Sequence, residues 1–196
     1  MNITPPTARA AAATMRALLT GDPTRRRHSA AVAVRAQELS IDFAAEDRRA
    51  LVAAAWLHDV GHAPSVQRTG LHALDGGHHL TGKFPRRIVA LVAHHSGARF
   101  EADLRGLASR LAAFEEERSL VADLLTYCDM TVGPNGERTD LASRVADVEA
   151  RYGADHLVVR ALHLALPELQ RAVDTVEREL SGRRLGHRST AGPPAR

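Results

Sequence analysis

The stretch Leu51-Val52-Ala53-Ala54-Ala55-Trp56-Leu57-His58-Asp59 decides how this 196-residue chain is read. An apolar helical run ends directly on a histidine and an aspartate, and Gly61 and Pro64 then stop the helix. Adjacent residues of a helix point about 100° apart, so two neighbouring ligands cannot converge from mid-helix. At a helix end, with Gly61 freeing the backbone, both side chains can reach one point. Imidazole and carboxylate together suit a borderline divalent metal, and a helical bundle builds such a site from ligands on separate helices.

Working outward, further ligand types fall near helix ends or on helix faces. His28 precedes the pair, and His72, His94, His95 and Asp129 follow it. His28, His58, Asp59 and Asp129 form one expected metal site. His72 and His94, with His95 as an addition, form a second that shares Asp59. His78 and His79 compete with His72, while His95 falls on the apolar stripe of Ile88, Leu91 and Val92, so the choice at both places stays open. Two ions about 4 Å apart can lower the pKa of a water and clamp a phosphoryl oxygen.

The remaining chain reads as helix, with three-and-four spacing of Ala, Leu and Val and no strand pattern. Helices are expected over 7–19, over 24–39 with Thr24 as cap, and over 42–58 with Asp42 as cap. Others are expected over 72–80, from Pro85 to His95, over 101–113, over 115–130 with Glu115–Glu117 as an acidic first turn, over 141–152 and over 155–180. Pro167 is expected to kink or split the last. Residues 133–136, Gly-Pro-Asn-Gly, form a turn. The organisation expected is an N-terminal helix (1–23) packed on a helical domain (24–180), then a disordered basic tail (181–196).

Composition narrows the function. The pI of 9.7 invites a nucleic-acid reading. Residues 28–182, however, hold 17 basic and 22 acidic residues, a net charge of −5, so the basic excess lies in the two ends. A duplex-binding fold shows its charge as a patch on the folded body, which argues against nucleic acid as the main partner. No apolar run approaches the roughly 20 residues of a membrane span. Cys128 is the single cysteine, so no intramolecular disulfide or CxxC motif exists. With no signal-peptide pattern, the expected location is cytoplasmic. Lys83, Arg86 and Arg138, along with Arg25, Arg26 and Arg87, are candidates for steering a phosphate.

The ordered set of histidines and aspartates resembles the HD superfamily of metal-dependent phosphohydrolases. The matching segments are Arg27-His28-Ser29 with Val32 and Val34, Trp56 to Gly61, His72 with Gly76, Gly77 and Leu80, Val92 to Ser96, and Tyr127 to Met130. The resemblance implies an all-α fold of the HD-domain type. It also implies metal ligation by His28, His58, Asp59 and Asp129, and a second ion on the additional histidines. Implied too is hydrolysis of a phosphoester, taken here to be that of a nucleotide-like small molecule. One or two divalent ions are expected, with Mn, Fe, Co or Ni favoured over Mg by the mixed nitrogen and oxygen donors. Two departures narrow the branch. The His94-His95 pair is followed by Ser96-Gly97-Ala98 and no Gly-Tyr-Pro occurs, unlike the cyclic-di-GMP phosphodiesterases. Where many members carry lysine three residues after the aspartate, this chain has His62, which is expected to contact phosphate or protonate the leaving group beside Asp59. The run 94–97 resembles the branch that cleaves diadenosine tetraphosphate symmetrically. The competing readings are an HD-fold di-iron oxygenase, with nearly the same ligands, and a non-catalytic sensor or scaffold.

Overall fold

Residues 8–190 are described by the structure, a computed structural model. They form α1 (Ala8–Leu18), α2 (Pro23–Leu39), α3 (Ala45–Leu57), α4 (His72–Leu80), α5 (Arg86–His94), α6 (Ala98–Leu104), α7 (Ala108–Leu111), α8 (Leu120–Met130), α9 (Leu141–Tyr152) and α10 (Leu157–Thr190). Among the described residues the sole strand-like pairing is an isolated antiparallel bridge between Val132 and Arg138. The fold is all-α, as the sequence implied.

Alanine sets how closely the central helix can be approached. Ala53, Ala54 and Ala55 succeed one another on α3 and are fully buried, as are Leu51 and Leu57. Helices α1, α2, α5 and α8 all pack on it, so its apolar run 50–57 is enclosed on nearly every side, while the charged residues 46–49 ahead of it stay at the surface. Burial of each leucine contributes about 1.5–3 kcal/mol relative to exposure. Helix α1 lays Ala11, Ala12 and Met15 inward, and the Arg16 guanidinium lies 5.3 Å from the Trp56 ring centre. Helix α10 packs on α6, α8 and α9.

Several boundaries differ from expectation for local reasons. Asp22, not Thr24, caps α2: its carboxylate accepts from the Arg25 amide at 2.8 Å, and Pro23 takes the first helical position, where its missing N–H costs nothing. Ala44, not Asp42, is the residue at the start of α3. The helix expected over 115–130 begins only at Leu120. Arg87 holds Glu117 through two bonds of 2.7 Å, and the Ser119 hydroxyl caps α8 by accepting from Val121 and Ala122. Gly106, with φ of +68°, separates α6 from α7 inside the helix expected over 101–113. Pro167 does not split α10, which continues past 180 to Thr190, since no further proline interrupts that span. The tail expected at 181–196 is therefore helical over 181–190. Residues 1–7 and 191–196 lie outside the described residues.

Candidate metal centre

Helix α3 ends at Leu57, and the chain tightens into a 3-10 turn over Val60–His62. Gly61 makes this possible. A Cβ there would lie 1.8 Å from the His72 carbonyl oxygen and 2.8 Å from the Gly76 amide nitrogen. Only a hydrogen fits, so the turn seats directly on α4 and brings His72 over Asp59.

Three histidines are oriented by the same device. The Nδ1–H of His58 donates to Ala55 O at 2.8 Å, that of His95 to Val92 O at 2.7 Å, and that of His28 to Gly133 O at 3.1 Å. Each bond fixes the ring and turns Nε2 toward the centre, the arrangement that metal-binding histidines use. His28 Nε2 lies 2.9 Å from Asp129 Oδ1, and His58 Nε2 lies 3.6 Å from that oxygen. His58 Nε2 is buried without a hydrogen-bond partner. His72 Nε2 and His95 Nε2 face one another at 3.1 Å. Both sets meet a geometric test for ligation: His28, His58 and Asp129 each offer an atom within 4.8 Å of the others, and so do Asp59, His72 and His95.

Asp59 lies between the two sets. Its Oδ2 is 3.7 Å from His58 Nε2 and accepts from Arg25 Nη1 at 3.0 Å, while its Oδ1 is 3.8 Å from His72 Nε2 and 3.6 Å from His62 Nε2. The His62 ring stacks on His72 with centroids 4.1 Å apart.

Protonation follows from these neighbours. Burial pushes the His58 imidazole down, against the pull of Asp59 and Asp129. His72 is driven well below the ordinary histidine range by burial and by His62 and His95 beside it. Burial takes His62 down to about 4, although Asp59 opposes the change. His28 moves the other way: burial is outweighed by its hydrogen bond and charge contact with Asp129, so its pKa is raised. Against burial, His58 and Arg25 hold Asp59 well below the usual carboxylate range, and His28 does the same for Asp129. The centre thus offers ionised carboxylates and mostly neutral imidazoles, the protonation states that metal ligation requires.

The structure reverses the expected order of the histidine pair. His94 turns away, its Nε2–H donating to Phe114 O at 2.9 Å, while His95 enters the centre. The two cannot share one direction, because α5 ends at His94 and His95 takes an extended ψ of 150°. His78 is exposed and packs edge-on against Phe114, and His79 pairs with Lys83 Nζ at 3.0 Å.

The expected phosphate-steering residues also need correction. Lys83 and Arg86 are exposed, and Arg138 pairs with Glu38 at 3.3 Å; none lines the cleft over the centre. That cleft, about 320 Å³, is instead faced by Arg25, Arg105, Arg144 and Arg151. Among these, Arg25 alone is a candidate from the sequence. Arg144, Val148, Arg151 and Tyr152 follow helical spacing along α9, so their common face was readable as a stripe. What that stripe faced was not. Cys128 is buried, and burial raises its thiol pKa, so it is no nucleophile at neutral pH.

No described helix is long and apolar enough to cross a membrane. No curated protein and no solved structure matches the chain. Residues 25–147, which hold both sets of ligand-type side chains, match the sequence model of the family described as HD domain. The chain belongs to the HD-domain family.

Proposed function

We propose that this protein is a metal-dependent phosphohydrolase acting on a small nucleotide-like phosphoester. In this reading one divalent ion is held by His28, His58 and Asp129, and a second by His72 and His95, with Asp59 shared between them. The observation that carries the reading is the orphaned His58 Nε2 together with the two Nε2 atoms of His72 and His95 at 3.1 Å. A buried imidazole nitrogen left without a partner, as at His58, is costly, and a cation held by the nitrogens and carboxylates around it would remove that cost. Mn, Fe, Co or Ni fits the mixed nitrogen and oxygen donors better than Mg. Bound there, such ions polarise a phosphoryl oxygen and activate water.

The chain's own residues supply the rest. Arg25 fixes the Asp59 carboxylate through Oδ2, leaving Oδ1 toward His72. Arg144 lies 4.0 Å from Asp129 and lines the cleft, so its guanidinium charge stands beside the place a phosphoryl group would take. His62 is depressed to about 4 and holds no proton at neutral pH. At 3.6 Å from Asp59 Oδ1 and stacked on His72, it is placed to contact the phosphate of a bound ester.

The test is metal analysis of the purified protein with a panel of phosphoesters. At least one ion per chain is expected, with hydrolysis lost in His58→Ala. Less than one ion per chain, with His58→Ala unchanged, sinks the reading. Turnover that requires oxygen would support the oxidative alternative.

A further inference from the structure

The family match ends at residue 147, yet much of the cleft is closed by residues beyond it. That wall differs in chemistry from the floor. The floor is imidazole, carboxylate and guanidinium. The wall presents Val148 and Tyr152 from α9, and Val158 and Leu162 from α10. Tyr152 is half-buried, and its ring stacks on His156 with centroids 4.9 Å apart and planes inclined by 29°. Both rings line the cleft.

Helix α9 gives this wall a direction. Arg144 lines the cleft and stands beside Asp129 at the floor. Tyr152 lies eight residues later on the same stripe, about 12 Å along the axis at 1.5 Å per residue. A group bound through its phosphoryl end at Arg144 must therefore extend past Val148 before it reaches the rings. A short alkyl ester would stop short, whereas a sugar between phosphate and ring spans the gap. The volume of about 320 Å³ lies at the lower end of the roughly 300–1,000 Å³ typical of ligand clefts, which is room for a single nucleoside unit.

We propose that residues 148–162 form the leaving-group subsite, and that it takes a flat heterocyclic ring carried on a sugar, as in a nucleoside monophosphate. This rests on the phosphohydrolase reading. The ring joins the Tyr152–His156 stack, an arrangement that tolerates any base because every base offers a π face. The reaction is hydrolysis without redox change. Water adds to phosphorus, the ester P–O bond breaks, the sugar oxygen leaves with a proton, and the products are a nucleoside and inorganic phosphate.

The test uses the full chain loaded with Mn(II) and supplied with AMP, p-nitrophenyl phosphate or glycerol 2-phosphate. The expected result is a preference for AMP in kcat/KM that falls about ten-fold in Tyr152→Ala, through KM rather than kcat, and recovers in Tyr152→Phe. His156 is exposed, so His156→Ala folds normally and loses about three-fold. Arg138→Ala, outside the cleft, is the unchanged control. Adenosine alone, titrated calorimetrically into metal-free protein, binds the wild type and not Tyr152→Ala. Equal kcat/KM for AMP and glycerol 2-phosphate overturns the subsite. Equal kcat/KM for p-nitrophenyl phosphate and AMP overturns the sugar-spaced ring. If no ester is hydrolysed the phosphohydrolase reading fails instead, and adenosine binding still decides whether the ring subsite exists.

Discussion

The Ser96 hydroxyl donates to Asp129 Oδ2 at 2.6 Å, and it does so from a backbone conformation that serine rarely adopts. Ser96 has a φ of +49°, and it is the one residue other than glycine with positive φ among those described. Left-handed backbone costs an ordinary residue about 1–2 kcal/mol. Such strain persists where surrounding structure imposes it, and it gathers at functional sites. Here the twist between His95 and Gly97 does two things. It lets His95 turn into the centre, and it points Ser96 Oγ at Asp129, leaving Oδ1 free to face His28 and His58.

Removing the hydroxyl separates orientation from strain. Ser96→Ala keeps the strained backbone but loses the bond, and Mn(II) affinity by calorimetry is expected to fall about ten-fold, the lower end for lost outer-shell partners of a metal ligand. Ser96→Gly loses the same bond while relieving the strain. Its affinity should fall equally, but its Tm should exceed that of Ser96→Ala. Wild-type affinity in both variants would show that Asp129 needs no such support.

His95 and His94 give a paired prediction. His95→Ala removes a ligand-type nitrogen from the second set, and bound metal is expected to drop by up to one ion per chain. His94→Ala removes a ring bonded to Phe114 O. It should lower Tm by a few degrees, leaving metal content unchanged. Metal analysis and thermal unfolding of the two variants check this, and loss of metal in His94→Ala alone would reverse the assignment.

The same pair shows what a sequence can and cannot reveal. That His95 continues the apolar stripe of α5 was visible in the spacing of Ile88, Leu91 and Val92, and that spacing pointed to the residue that enters the centre just past the helix end. Family spacing favoured His94 instead, because motif order locates a dipeptide but not the dihedral between its members. The elements with local causes were legible: α4 and α9 fall where periodicity and turn residues put them. The cleft-facing arginines were not, because Arg105, Arg144 and Arg151 meet Arg25 only through the tertiary packing of α6, α9 and α10. Nothing local distinguishes them from exposed arginines such as Arg86.

Acid should destabilise the metal-free protein before its carboxylates titrate. His58, His72 and His62 have folded pKa values below the unfolded 6.5, with His62 at about 4. As pH falls through 6.5 the unfolded chain takes up protons that these rings in the folded state do not, so stability declines from there toward pH 4. His28, with a raised pKa, contributes in the opposite direction, and is one ring against three. The carboxylates Asp59 and Asp129 add their loss only below about pH 4. Tm of chelator-treated protein is therefore expected to fall between pH 7 and pH 5, and His62→Gln should flatten that slope. A Tm that is level across this range would contradict the assignment of neutral rings.

Gly61 tests whether the metal centre depends on backbone contact between the turn and α4. The Cβ of Gly61→Ala would meet the His72 carbonyl oxygen at 1.8 Å and the Gly76 amide at 2.8 Å, and both are backbone atoms that cannot swing aside. The turn must lift from α4, carrying Asp59 away from His72. The expected cost is about 3 kcal/mol, the upper part of the range for overpacking, read from the shift in urea midpoint. Because the displacement separates Asp59 from His72 and His95, metal binding should weaken more than in Ser96→Ala, even where the protein remains folded. Gly82→Ala is the comparison. Its Cβ would meet nothing within 4 Å, but its φ of +76° still strains alanine. It should cost about 1 kcal/mol and leave metal affinity untouched. Equal metal affinities in the two glycine variants would mean that the turn does not position Asp59.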